Sequence, residues 1–184
     1  MDELKAVHEL LGKDRTVPAS DSMEEWLGPS FGGEKDWNPI ALAIEVRTRA
    51  CKQGVSVVVD HEPAPGDKLL NKDGAATYEF KGTYAIKSGA HDLLADVRQA
   101  ISHKHPVVAT VLVGKKFFES DGTTTVEPEA ILENDALDAL IVGYDEHARF
   151  RLVTRAGRVW VSGEFLMQRT AELRVVHGSV VPKS

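Results

Sequence analysis

Cysteine is nearly absent. Cys51 is the single thiol in 184 residues, which excludes an internal disulfide framework and any zinc site built on cysteines. Positive charge is also in deficit: 22 lysines and arginines stand against 28 acidic residues, for a net charge of −6. The chain therefore carries no overall electrostatic footprint for nucleic acid or an anionic membrane. Long apolar runs are missing as well. No stretch approaches the roughly 20 apolar residues of a membrane span, and the opening MDELKAVHELLGK mixes charge with apolar side chains instead of forming a secretory leader. The expected compartment is the cytoplasm.

What is present is an ordinary globular balance, with 42% hydrophobic and 27% charged residues, enough for one full domain with a core. Leu4, Val7, His8 and Leu11 recur at helical spacing, so Asp2 to Gly12 reads as a short amphipathic helix within an N-terminal extension, residues 1–16. A run rich in Pro, Gly and Ser follows, from Pro18 to Gly33. Asn38 can then cap a helix, with Pro39 at its first position and no breaker from Ile40 to Lys52. Apolar side chains on nearly every side of its first turns predict a central, buried helix.

VSVVVD at 55–60 is β-rich, HEPAPGDKLLNKDGA is loop-like, and TYEFKGTYAIKSG alternates as one or two strand segments. A second helix is expected from His91 to Ser102, with Leu94, Val97 and Ile101 on one face and Pro106 beyond its end. The rest reads as strands at 106–113, 137–144, 149–154, 158–162 and 172–181. Helices first and a mainly antiparallel sheet last imply an α+β fold, with the helical part at about 17–60 and the β-rich part at about 77–184.

Several clusters of chemistry-bearing residues also have ordinary structural readings. His103-x-His105 reads as a solvated pair of helix-end histidines, and no metal or cofactor is required. His147 falls in a turn, while His61 and His177 have no neighbouring partner in sequence. Glu133, Asp135 and Asp138 read as a charged strand edge that discourages edge pairing. Arg149, Arg151, Arg155 and Arg158 read as an exposed sheet face paired with nearby acids, in preference to an anion site.

Several motifs in order resemble the papain-like cysteine peptidases, particularly their compact bacterial members. Val17-Pro18-Ala19-Ser20-Asp21 resembles the extended lead-in of that family, and IALAIE at 40–45 its central helix. AHDLLADVRQAISHKHPVVATVLV resembles a later helix and strand, and Phe118, Gly122 and Pro128 fit the connecting loop. LDALIVGYD followed by FRLVTRAGRVWVSGEF is the best match, with Gly143, Tyr144, Phe150, Gly157, Trp160, Gly163 and Phe165 in register. The resemblance covers roughly residues 17–167. It implies a single papain-like domain over 17–184: a helical lobe with a long central helix, packed against a mainly antiparallel β-sheet or barrel lobe.

The family's reactive positions are occupied differently. The resemblance places Lys35 (or Asp36, one residue on) at the nucleophilic cysteine, Leu137 at the histidine with Asp138 beside it, and Thr154 at the asparagine. Ala156 replaces the shielding tryptophan, and Pro29 lies near the position of the oxyanion-hole glutamine. Cysteine-peptidase chemistry needs a thiolate at a helix N-terminus and an imidazolium to protonate the leaving amine. Cys51 lies 16 residues beyond Lys35, about 24 Å along a helix. The resemblance therefore implies a catalytically inactive pseudopeptidase that binds or scaffolds a protein or peptide, with Asp36, Trp37, Asp138, Ala156 and Trp160 as the candidate groove. Alternatives are a hydrolase or transferase rebuilt around Lys35, Asp36, Asp138 and Thr154, or a structural subunit docked through the Asp2 to Gly12 helix.

Overall fold

The computed structural model describes residues 17–27, 38–51, 62–70, 76–87, 93–129 and 135–182. In chain order its elements are β1 (Asp21–Ser22), a 3-10 turn (Glu24–Trp26), α1 (Pro39–Ala50), β2 (Lys68–Leu70), β3 (Ala76–Ala85), α2 (Leu93–Ser102) and β4 (Val107–Val113). There follow α3 (Lys115–Phe118), β5 (Thr125–Val126), β6 (Asp135–Tyr144), β7 (Arg149–Thr154), β8 (Gly157–Ser162), α4 (Gly163–Arg169) and β9 (Thr170–Pro182). The expected helix Asp2 to Gly12 and the β-rich run 55–60 lie outside the described residues.

Helix α1 begins where its capping chemistry dictates. The Asn38 side chain accepts a hydrogen bond from the Ala41 amide at 3.1 Å, and Pro39 supplies the first helical residue, whose amide would have had no helical partner anyway. The helix stops at Ala50, two residues short of the expected end: Cys51 still donates to the Arg47 carbonyl at 3.1 Å, but its backbone, φ −91° and ψ 4°, has left the helical region. Residues Ala41 through Val46 are all buried, as the apolar first turns require. Asn38→Ala is expected to cost about 1 kcal/mol of stability, read by urea unfolding followed by circular dichroism.

The strands form one nine-stranded sheet in the order β2-β3-β9-β4-β6-β7-β8-β5, with β1 added to β6. All pairings are antiparallel except the short β5 with β8. Strand β4 shows why this sheet is covered: Val107, Ala109, Val111 and Val113 are buried, and the residues between them are half-buried. Helix α1 packs on β6, β4 and β9, while α4 packs on β4, β8 and β9.

Three features depart from the sequence reading. Lys68–Leu70 is a strand, not loop, because Leu69 is buried opposite Tyr78. Helix α4 was not expected; Ser162 caps it by accepting from the Phe165 amide at 3.1 Å, and Phe165 and Leu166 anchor it in the core. The segment before α1 joins the sheet through β1, and the Tyr144 hydroxyl donates to the Pro18 carbonyl at 3.2 Å. Gly143 permits that approach, since a Cβ there would stand 3.1 Å from Ser22 Oγ and 3.2 Å from the Asp21 carbonyl oxygen. No described helix is long and apolar enough to cross a membrane.

Candidate functional site

A cleft of about 350 Å³ opens where the N-terminus of α1 meets the sheet. Pro39 and Ile40 form its apolar wall, and Val108 and Thr110 of β4 lie on its floor. Its polar side chains come from residues brought together by register. Thr110 pairs with Asp138 on β6 and with Glu172 on β9, so the three side chains project from one face in a row across three strands. With strands about 4.8 Å apart, the two carboxylate-bearing residues stand about 10 Å from each other.

Glu62 and Thr83 complete the rim, and Arg174 is the one basic residue lining the cleft among the described residues. That guanidinium is already engaged: Nε donates to Glu172, and Nη1 donates to Thr83 Oγ1 at 2.8 Å. Among the described residues, Asp138 accepts only a 3.3 Å bond from Thr110 Oγ1. Among the described lining residues, three carboxyl groups stand against one guanidinium, an acidic balance. The positive end of α1 offers little to an anion, because Pro39 has no amide hydrogen and Asn38 occupies the Ala41 amide.

The structure separates the residues that the sequence reading grouped. Asp138 lines the cleft; Ala156 and Trp160 do not. Leu137 points to the opposite face from its neighbour and packs against the core. Thr154 is 2% exposed and spends its hydroxyl on the β7–β8 turn, donating to the Gly157 carbonyl at 3.0 Å and accepting from the Ala156 amide at 3.1 Å. Lys35, Asp36, Trp37 and Pro29 lie outside the described residues. Cys51 sits at the C-terminal cap of the 12-residue helix α1, about 18 Å from the cleft end.

Trp160 belongs to a different surface. The Arg149 and Arg151 guanidiniums lie 4.6 and 5.2 Å from its ring centroid. Both are also ion-paired: Arg149 Nε reaches Asp145 at 2.6 Å, Arg151 Nε reaches Glu24 at 3.2 Å, and Arg158 Nη1 reaches the same Glu24 oxygen at 2.9 Å. Glu24 thereby pins the segment before α1 to the β7–β8 hairpin. Burial pushes the Asp145 carboxyl up, but amide bonds from Arg149 and His147 and the Arg149 side chain outweigh it and hold the group below the usual carboxylate range. Ion pairing on this face agrees with the arginine spacing, but the partners are Asp145 and Glu24 instead of the Glu133, Asp135 and Asp138 cluster, and Arg149 and Arg151 are partly buried, not exposed.

The histidines are placed elsewhere. His147 is exposed in the β6–β7 turn, and His103 is half-buried, its Nδ1 2.9 Å from the Gln99 carbonyl oxygen. His105 corrects the sequence reading: it is 4% exposed, not a solvated helix-end residue. Among the described residues no group of three or more His, Cys, Asp or Glu side chains could hold a metal.

The sequence reading missed Pro39, Ile40, Glu62, Thr83, Thr110, Glu172 and Arg174 as cleft residues. Two signals were available. Thr110 is the single polar residue in VVATVLV, and Glu172 and Arg174 share one face of their strand at i, i+2.

No family model matches the chain, and no curated protein matches it. Solved structures do share its fold. Xylellain, a cysteine protease from Xylella fastidiosa, superposes with a TM-score of 0.58 at 13% identity, over 88% of this chain and 86% of that one. The proCathepsin B S9 structure from Trypanosoma congolense gives a TM-score of 0.54 at 12% identity, over 96% of this chain and 80% of that one. Both are papain-like cysteine proteases, and at these identities the likeness concerns fold alone.

Proposed function

We propose that this domain keeps the papain-like fold without its thiol chemistry and uses the cleft to bind a protein or peptide segment. One observation carries the reading: Asp138, Thr110 and Glu172 line the cleft end of α1, while the chain's single cysteine caps the opposite end. The acids, exposed above an apolar wall of Pro39 and Ile40, suit an extended segment bearing Lys or Arg.

The test has two arms. Purified protein is assayed against fluorogenic peptide and isopeptide substrates, and peptides with lysine or glutamate at their centre are titrated calorimetrically. No turnover and a preference for the lysine series are expected. Asp138→Lys should weaken binding by about tenfold or more, as expected for loss of a charged contact.

Hydrolysis that disappears in Asp138→Asn would overturn the reading and favour a rebuilt acid/base site. Asp138 is the observation that supports this second reading, as a carboxylate set in a cleft beside a hydroxyl. Its weakness is that Thr154, the other described member of such a site, is committed to a turn.

A further inference from the structure

The joint between α1, the end of α2 and the β3–β9 pair is built around a buried histidine whose Nδ1 has no hydrogen-bond partner among the described residues. Arg47 of α1 reaches across and donates through Nη1 to the His103 carbonyl at 2.6 Å and the Lys104 carbonyl at 3.0 Å. Lys104 takes a left-handed conformation, φ 64°, and its ammonium pairs with Asp21 of β1 at 3.0 and 3.2 Å. The next residue, His105, is buried there, its amide donating to the Ala100 carbonyl at 2.8 Å. Extending the β4–β9 register two residues back from the Val107–Val175 pair would set His105 opposite His177, and the His177 charge acts on the His105 ring. Among the described residues, the Nδ1 atoms of both rings are buried without a hydrogen-bond partner.

We propose that this joint is an acid-released latch, held closed by neutral His105 and opened when that imidazole takes a proton, which frees the turn after α2 and the β1 segment tied to it.

The surroundings of His105 all act in one direction. The charged groups acting on it are Arg47 from α1, His103 from the turn, where Lys104 is its neighbour, and His177 from β9; Cys51 of the α1 end and Tyr78 of β3 act on Arg47, and Lys81 of β3 acts on His177. Asp21, the carboxylate tied to this turn, is held by Lys104. Burial first, then Arg47, His103 and His177, push the His105 imidazole down to about 3. Burial likewise lowers His177. An imidazolium needs two acceptors, and one His105 nitrogen has none.

The sign follows from linkage. An exposed imidazole titrates near 6.5, so stability is complete above that pH and is lost as pH falls toward 3, over the window in which only the opened joint binds the proton. Opening should therefore become about tenfold more favourable per pH unit below 6.5.

Amide exchange on the full chain reads this directly. The amides of His103, Lys104 and His105 report the turn, and the Met23 amide, bonded to the Val142 carbonyl at 2.7 Å, reports the β1 segment. Between pH 6.5 and pH 4.5 their protection factors should fall about fiftyfold, while those of β7 and β8 hold. His105→Gln should abolish the fall. Protection that is flat with pH, or an equal fall in the variant, would overturn the latch. Should the variant not fold, the wild-type imidazole signals decide: His105 remaining neutral from pH 8 to pH 5 supports the latch, and an ordinary titration near 6.5 overturns it.

Discussion

Phe150→Ala should lower the unfolding free energy by about 3–5 kcal/mol, as large-to-small changes at fully buried aromatic sites do. Phe150 is 0% exposed on β7, with its ring centroid 6.5 Å from that of Tyr144. Tyr144 in turn holds the Pro18 carbonyl and pairs with Asp21, so the cavity would open beneath the strand that ties the N-terminal segment to the sheet. Urea unfolding monitored by tryptophan fluorescence measures the loss. A change below about 1 kcal/mol would mean that neighbouring side chains collapse into the space.

Arg47→Met is the second large effect, expected at about 2–4 kcal/mol. Methionine keeps an unbranched apolar stem but gives up the charged donor that satisfies two carbonyls at the end of α2, and bonds to charged groups are worth more than neutral ones. Burial already lowers the Arg47 guanidinium from its usual value, and the two carbonyl contacts help to hold the buried charge. The same urea series tests this, and a variant within about 0.5 kcal/mol of wild type would show the clasp to be energetically idle.

Local chemistry was legible in the sequence where one segment decides its own conformation. Asn38 and Pro39 fix the start of α1, and β7 runs over 149–154 as its alternation predicts. The short helix α4 was hidden because it spans only Gly163–Arg169 between two strands, and part of its packing is on β4, distant in the chain. His105 was misread for the same kind of reason: a histidine just past a helix looks solvated until Arg47, from another helix, closes over the turn.

The cleft was half legible. Asp138 was singled out as a neighbour of position 137, but a strand puts neighbours on opposite faces, and only the pairing of Thr110 with both Asp138 and Glu172 shows which face looks at α1. A register shift between Ile141 and Gly143 further separates counting along β6 from its geometry. Structure neighbours at 12–13% identity carry the fold and leave each side chain of the cleft to be judged on its own chemistry.

The place of β9 in the sheet has a kinetic consequence. It lies between β3 and β4, and it is the one strand joining the β2–β3 pair to the strands that follow in the order. Until residues 170–182 emerge from the ribosome, β3 has a bare edge that carries part of the core, including Phe80. Pairings this distant along the chain put folding in the slow, millisecond-to-second regime, and a waiting edge of this kind is where nascent chains stick to one another. Refolding should therefore be strongly concentration-limited, and substitutions in β9 should slow it more than equally destabilising ones in α1.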